Sequence, residues 1–287
     1  MKNFPRKLIE SYCESIVQLP NRRLYLFDTL LKDEALHTLQ RKTPAEMIGK
    51  GFKADTLIYK HLVIKHEYRS LRKRLKFLYF NSHPARGHCG ISGEAINTLA
   101  ANRINYPAHQ LVALDVHNLT GKIQAVYSRI TDAVPLELLL NDAAADIDDM
   151  ILHVIKALLA TLDSGILHGD CNISNLFYRP ASKTIVLIDL ELAVQINCEK
   201  HIAAAVLLCG LYDHRLQSLM TAERFIALLQ KILPENFSAS ENDTLLKLFN
   251  HYRNRRLSRE ERDERLAQVS KGNPAVGYLL QRHAAKK

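Results

Sequence analysis

The sequence predicts an α+β chain in two parts, a small β-rich first half and a helical second half. Three stretches predict it. Residues 47–68, MIGKGFKADTLIYKHLVIKHEY, place Gly49 and Gly51 between short β-prone runs and end on the apolar strand Leu62-Val63-Ile64, giving strand, glycine turn, strand and strand. Ile147 to Leu162 carries Ile151, Val154, Ile155, Leu158, Leu159 and Leu162 at helical spacing, an amphipathic helix with a wide apolar face. From Glu199 onward the apolar positions recur at the same period, which predicts three or four helices, among them the apolar His201 to Leu211 and the charge-rich Ser258 to Val269.

Between these anchors the elements follow in order. Leu8 to Leu19 and Leu24 to Leu39, punctuated by Pro5, Pro20 and Pro44, have helical spacing and predict a helical extension over residues 1–44. Ser92 to Arg103 is helical by its Ile91, Ala95, Leu99 and Ala100, with Ser92 a candidate N-cap. Leu111 to Val116 and Ile123 to Ile130 read as strands joined by a turn at Asn118 to Gly121. Leu136 to Leu140 is a short helix. Leu176 to Tyr178 and Thr184 to Ile188 are strands flanking the turn Pro180 to Lys183. With no repeat and no Gly/Ser-rich linker, changing periodicity sets the expected parts: 1–44, 45–130 and 131–287.

Composition narrows the class. The 287 residues are 47% hydrophobic and 24% charged, which is globular composition. No stretch approaches the roughly 18–20 uninterrupted apolar residues of a membrane span. Glu10 and Glu14 stand where a signal peptide would be apolar, so the expected place is the cytoplasm. The five cysteines are odd in number, scattered and without a C-x-x-C pair, which suggests neither a disulfide framework nor a zinc site. A formal charge of +9 implies an anionic partner. Without an aromatic-studded sheet or recognition motif, nucleic acid is not the expected one.

The segment 166–193, ILHGDCNISNLFYRPASKTIVLIDLELA, carries the chemistry. It places His168 and Asp170 in a His-x-Asp unit, Asn175 five residues after that Asp, and Asp189 at the end of a β-hairpin. It resembles the catalytic loop and metal-binding strand of protein-kinase-like phosphotransferases. The resemblance implies a two-lobed kinase-like fold, with a β-rich N-lobe over 45–130 and a helical C-lobe over 131–287. It implies ATP and Mg²⁺ as cofactors, Asp170 as the catalytic carboxylate, and Asn175 and Asp189 as the metal ligands.

It also implies roles upstream. Lys65, at the end of a strand that follows a glycine turn, matches the lysine that contacts the α- and β-phosphates; Glu94 matches its helix partner, although Glu67 is an alternative by sequence. Gly49 and Gly51 match a phosphate-covering loop, but Ala54 stands where a third glycine belongs, and a plain hairpin turn fits nearly as well. Asp189-Leu190-Glu191 replaces Asp-Phe-Gly and no Ala-Pro-Glu follows, which disfavours a regulated protein kinase.

His168-Gly169-Asp170, in place of His-Arg-Asp, is the form of small-molecule and glycan kinases, and the layout resembles the bacterial lipopolysaccharide core kinases that phosphorylate Kdo or heptose. That resemblance implies a sugar hydroxyl of the inner core, or another glycan, as acceptor. Residues 65–78 hold Lys65, Arg69, Arg72, Lys73, Arg74 and Lys76 with Leu71, Leu75 and Leu78 at helical spacing. This is either a basic helix that lies on an anionic membrane, giving a peripheral place on the inner membrane, or an ordinary solvated face. The alternatives to a core kinase are a soluble metabolite or aminoglycoside phosphotransferase and a silent scaffold that keeps the fold. Cys171 reads as a packing residue, and His88-Cys89 has no second pair to make a zinc site.

Overall fold

The computed structural model describes residues 6–41, 45–50, 54–67, 90–119, 122–142, 146–253 and 259–270. It divides into two units, residues 1–130 and 131–287.

The first unit is built on a seven-stranded antiparallel sheet. Its strands are β1 (Ser15–Leu19), β2 (Arg22–Leu26), β3 (Met47–Lys50), β4 (Ala54–Ile58), β5 (Leu62–Glu67), β6 (Leu111–His117) and β7 (Ile123–Ser128), in the order β1-β2-β6-β7-β5-β4-β3. Among the described residues three helices accompany it: α1 (Arg6–Glu10), α2 (Lys32–Arg41) and α3 (Gly90–Arg103).

The expected helical extension forms only in part. Only α1 and α2 are helical within 6–41; residues 15–26 form a hairpin that extends the sheet, with Tyr25 opposite Leu114 on β6. Ile9, Tyr12, Ile16 and Leu19 satisfy a helical template, but Ile9 lies in a five-residue helix, Tyr12 in the turn after it, and Ile16 and Leu19 in a strand. What decides the conformation is non-local. Leu24 and Leu26 gain a buried place beside Val112 and Ala113 only when paired with β6, and Asn21, at φ 61°, supplies the left-handed turn that folds β1 back on β2. Asp28 then ends the sheet segment, its Oδ1 accepting from the amides of Leu30 and Leu31 at 2.6 and 3.0 Å just before α2.

Strand alternation sorts β5 between two faces. Leu62 and Ile64 are buried in one cluster with Ala35 and Leu39 of α2, so Val63 and Lys65 point to the opposite face, towards α3. Ser92 lies inside α3, two residues past Gly90, and is not its cap. Asn102 ties the end of α3 to the next strand, donating to His109 O and accepting from Leu111 N.

The second unit begins with β8 (Val134–Pro135), α4 (Leu136–Leu140) and α5 (Ile147–Thr161). Asp146 caps α5 by accepting from Asp149 N, and Ile151, Val154, Ile155, Leu158 and Leu159 are its buried face. Next come β9 (Ile166–Leu167), the hairpin β10 (Leu176–Arg179) and β11 (Thr184–Leu187), and β12 (Val194–Gln195). β11, β10 and β8 form one small sheet, and β12 with β9 another.

Five α-helices follow among the described residues: α6 (Lys200–Leu211), α7 (His214–Gln217), α8 (Ala222–Ile232), α9 (Ala239–Arg253) and α10 (Arg259–Val269). The count exceeds the expected three or four because the four-residue α7 is too short to show a period. Tyr212, Phe225 and Phe249 stack on one another where α6, α8 and α9 meet, with centroids 4.8–5.9 Å apart. No helix among the described residues is long and apolar enough to cross a membrane.

Candidate active site

In the first unit, Lys65 Nζ and Glu94 Oε1 meet at 2.5 Å. The pair is largely out of water, with side chains 19% and 5% exposed. Lys65 Nζ also lies 5.7 Å from the centre of the Tyr127 ring, and His109 stacks on that ring at 4.1 Å with its Nε2 3.8 Å from Glu94 Oε1. Ala125, opposite Lys65 on β7, leaves the long lysine stem room across the strand. Gly49 is paired with Thr56 in regular antiparallel register, and a Cβ there would make only ordinary contacts with it at 3.7 Å. Backbone geometry therefore does not demand a glycine at 49. Gly51 lies outside the described residues, as do most of the basic stretch 65–78 and His88-Cys89.

In the second unit the central residue is His168, which is fully buried. Its Nε2 donates to Ile188 O at 2.8 Å, because a carbonyl can only accept; the neutral ring then has Nδ1 as acceptor, and Nδ1 takes the Asp170 amide at 3.4 Å. Burial holds the imidazole below its ordinary pKa, opposed by the bond to Ile188 and by the negative charge of Asp170 and Asp189. One ring thus links the loop that carries Asp170 to the strand end that carries Asp189.

Glycine at 169 follows from local geometry. Its φ is +78°, and a Cβ there would lie 2.0 Å from Leu192 O. The glycine of His-Gly-Asp is therefore required by the way residues 190–192 lie against the loop.

Asn175 ends the short 3₁₀ turn Ile173–Asn175. Its Nδ2 donates to Asp170 O at 2.9 Å, which leaves Oδ1 as the side-chain atom to serve a cation. Ile188 N donates to Asn175 O at 3.0 Å, so Asn175 and the end of β11 are joined through backbone as well. Asp189 follows with φ 58° and ψ 55°, a left-handed conformation unusual for a residue with a Cβ, and turns the chain out of β11 into the 3₁₀ turn Leu190–Leu192. An outlier of this kind held at a strand end is a recurrent mark of functional positions. The oxygen donors of Asn175 and Asp189 suit a hard cation such as Mg²⁺.

Cys171 is buried, and burial together with Asp170 and Asp213 pushes its thiol well above the ordinary value. It packs under α6, where a Cβ on Gly210 would lie 3.1 Å from Cys171 O. Burial of this kind fits a packing residue.

Sequence reasoning missed Asn172, Ser174 and Arg215. Asn172 Oδ1 accepts from Ser174 N at 3.0 Å, capping the turn that presents Asn175, and Arg215 Nη1 reaches Asn172 Oδ1 and Ser174 Oγ at 2.9 and 2.7 Å. The Asn-x-Ser pattern carried a turn signal that could have found the first two. Nothing local marks Arg215, which lies 43 residues beyond Asn172 in sequence.

No protein-family model matches the chain, and no curated protein matches it. Many solved structures are similar in backbone course, two of them as follows. WaaP in complex with acyl carrier protein is 14% identical, covering 85% of this chain and 92% of that one, with a TM-score of 0.38. The kinase PK-1 of Cydia pomonella granulovirus is 13% identical, covering 83% and 98%, with a TM-score of 0.41.

Proposed function

We propose that the chain is an ATP-dependent phosphotransferase acting on an alcohol, and that the alcohol is a sugar hydroxyl of the lipopolysaccharide inner core, Kdo or heptose. The observation that carries the first part is the His168 bridge, which ties Asp170, on one nitrogen, to the strand end bearing Asp189, on the other. A carboxylate for the incoming hydroxyl and a second for the cation are what phosphoryl transfer asks of a protein.

In this reading the acceptor oxygen attacks the γ-phosphorus, the bond from that phosphorus to the β–γ bridging oxygen breaks, ADP leaves, and the hydroxyl proton passes to the Asp170 carboxylate. Asn175 Oδ1 and Asp189 are the residues that would hold Mg²⁺, which when bound would neutralise phosphate charge. Lys65, oriented by Glu94, is assigned the α- and β-phosphates.

The acceptor assignment rests on the His168-Gly169-Asp170 form and on the basic stretch 65–78, which would hold the protein at the cytoplasmic face of an anionic membrane. The test is transfer of radiolabelled γ-phosphate to purified rough lipopolysaccharide, run beside a panel of soluble sugars and aminoglycosides. Label in the lipopolysaccharide, abolished by Asp189→Ala, is expected. Label only in a soluble acceptor would make the chain a small-molecule kinase, and no label in any would make it a scaffold.

A further inference from the structure

Asn172 stands between the residue given the proton and the residue given the metal, and its amide is fixed at both ends. Oδ1 accepts three hydrogen bonds, from Ser174 N at 3.0 Å, Ser174 Oγ at 2.5 Å and Arg215 Nη1 at 2.9 Å. Only an oxygen can accept all three, so the amide nitrogen must face the other way. There Nδ2 donates to Asp170 Oδ1 at 3.3 Å and to Asp170 O at 3.4 Å.

Arg215 closes the arrangement. Its Nη1 also donates to Ser174 Oγ at 2.7 Å, while the Ser174 hydroxyl proton is spent on Asn172, so the three side chains form a triangle closed by Nη1 and the hydroxyl. Arg215 is itself held in place. Asp213 Oδ1 accepts from the amides of Arg215 and Leu216 at 3.0 and 3.4 Å, Asp213 Oδ2 lies 3.9 Å from Arg215 Nη1, and Leu216 beside it is fully buried.

We propose that Arg215 is a positioning residue for the phosphotransfer proposed above: it locks the Asn172 amide in the orientation that gives the Asp170 carboxylate a hydrogen-bond donor. The inference rests on that functional reading. Without the guanidinium, two weaker donors remain on Oδ1, and an inverted amide would set an oxygen against the Asp170 carboxylate. The carboxylate then leaves the one rotamer in which it can take the acceptor's proton, and a misplacement of about 1 Å can cost on the order of 100-fold in rate.

The test uses the full chain and Mg²⁺-dependent ATP turnover with water as acceptor, so that no acceptor need be known. Arg215→Ala should lower kcat by about 10- to 100-fold with KM for ATP nearly unchanged. Arg215→Lys, which keeps one donor, should recover much of the loss. In an Asn172→Ala background, Arg215→Ala should add little, because both act through one bond. Arg224→Ala, which removes a surface partner of Asp148, is the control for loss of charge. Amide exchange of residues 170–176, which requires no turnover, should quicken in Arg215→Ala and not in Arg224→Ala. Exchange and kcat equal to the control, or a full-sized loss added to Asn172→Ala, would overturn the inference. Failure of the wild type to turn over ATP would count against the functional reading instead, and the exchange measurement would still decide whether Arg215 holds the loop.

Discussion

His168 donates to the carbonyl of Ile188 at 2.8 Å, and with its other nitrogen accepts the amide of Asp170, so a single buried imidazole spans two segments twenty residues apart. The bridge needs the neutral ring, since a proton on Nδ1 would remove the acceptor for the Asp170 amide.

A pH dependence of stability follows. Burial depresses the His168 pKa in the folded chain below its ordinary 6.5, so between those two values the unfolded chain binds the extra proton. The stability contribution is complete above about pH 6.5 and is lost as pH falls towards the folded value, with a slope of up to about 1.4 kcal/mol per pH unit. Urea unfolding at pH 7.5 and pH 5.5 should show this loss, and His168→Gln should show a smaller difference between the two pH values. Equal differences would mean that the imidazole is not the group responsible.

Gly165 and Gly169 make a controlled pair. Their φ angles are +75° and +78°, but a Cβ at 165 meets nothing within 4 Å whereas one at 169 would lie 2.0 Å from Leu192 O. Gly165→Ala should therefore cost only the left-handed backbone penalty, about 1–2 kcal/mol. Gly169→Ala should cost clearly more, because residues 190–192 must shift. Similar unfolding midpoints for the two variants would contradict the close packing of this loop.

The Lys65–Glu94 pair should be coupled in stability as well as in function. Removing the lysine leaves a carboxylate that is 5% exposed, so Lys65→Ala should lose about 1–3 kcal/mol. Adding Glu94→Gln should restore part of it, while ATP turnover stays low in both. Additive losses in the double variant, measured by chemical denaturation, would show that the two groups do not depend on each other.

The legible part of this chain was what short-range pattern encodes. The period of α5, the hairpin of β10 and β11 and the spacing from His168 through Asn175 to Asp189 are all local, and a helix after the glycine-turn strands was enough to pair Glu94 with Lys65. The hairpin at 15–26 was not legible, because its apolar spacing suits a helix and only the partner β6, almost ninety residues on, selects the strand. Arg215 was hidden for the same reason: its meaning comes from Asn172 and Ser174, which the fold brings to it. The composition of HGD, by contrast, was visible while its cause was not, since Leu192 O lies outside the motif.

In the proposed phosphotransfer the Asp170 carboxylate takes the acceptor's proton while the nucleotide is held by other groups. Asp170→Asn keeps the side chain's size and removes the charge that draws the proton. The measurement is phosphate transfer from radiolabelled ATP alongside calorimetric ATP affinity on the same preparation, for wild type and Asp170→Asn. Transfer should fall by about 10²–10⁴-fold with ATP affinity almost unchanged. Near-normal transfer by the Asp170→Asn variant, folded and binding ATP, would contradict it.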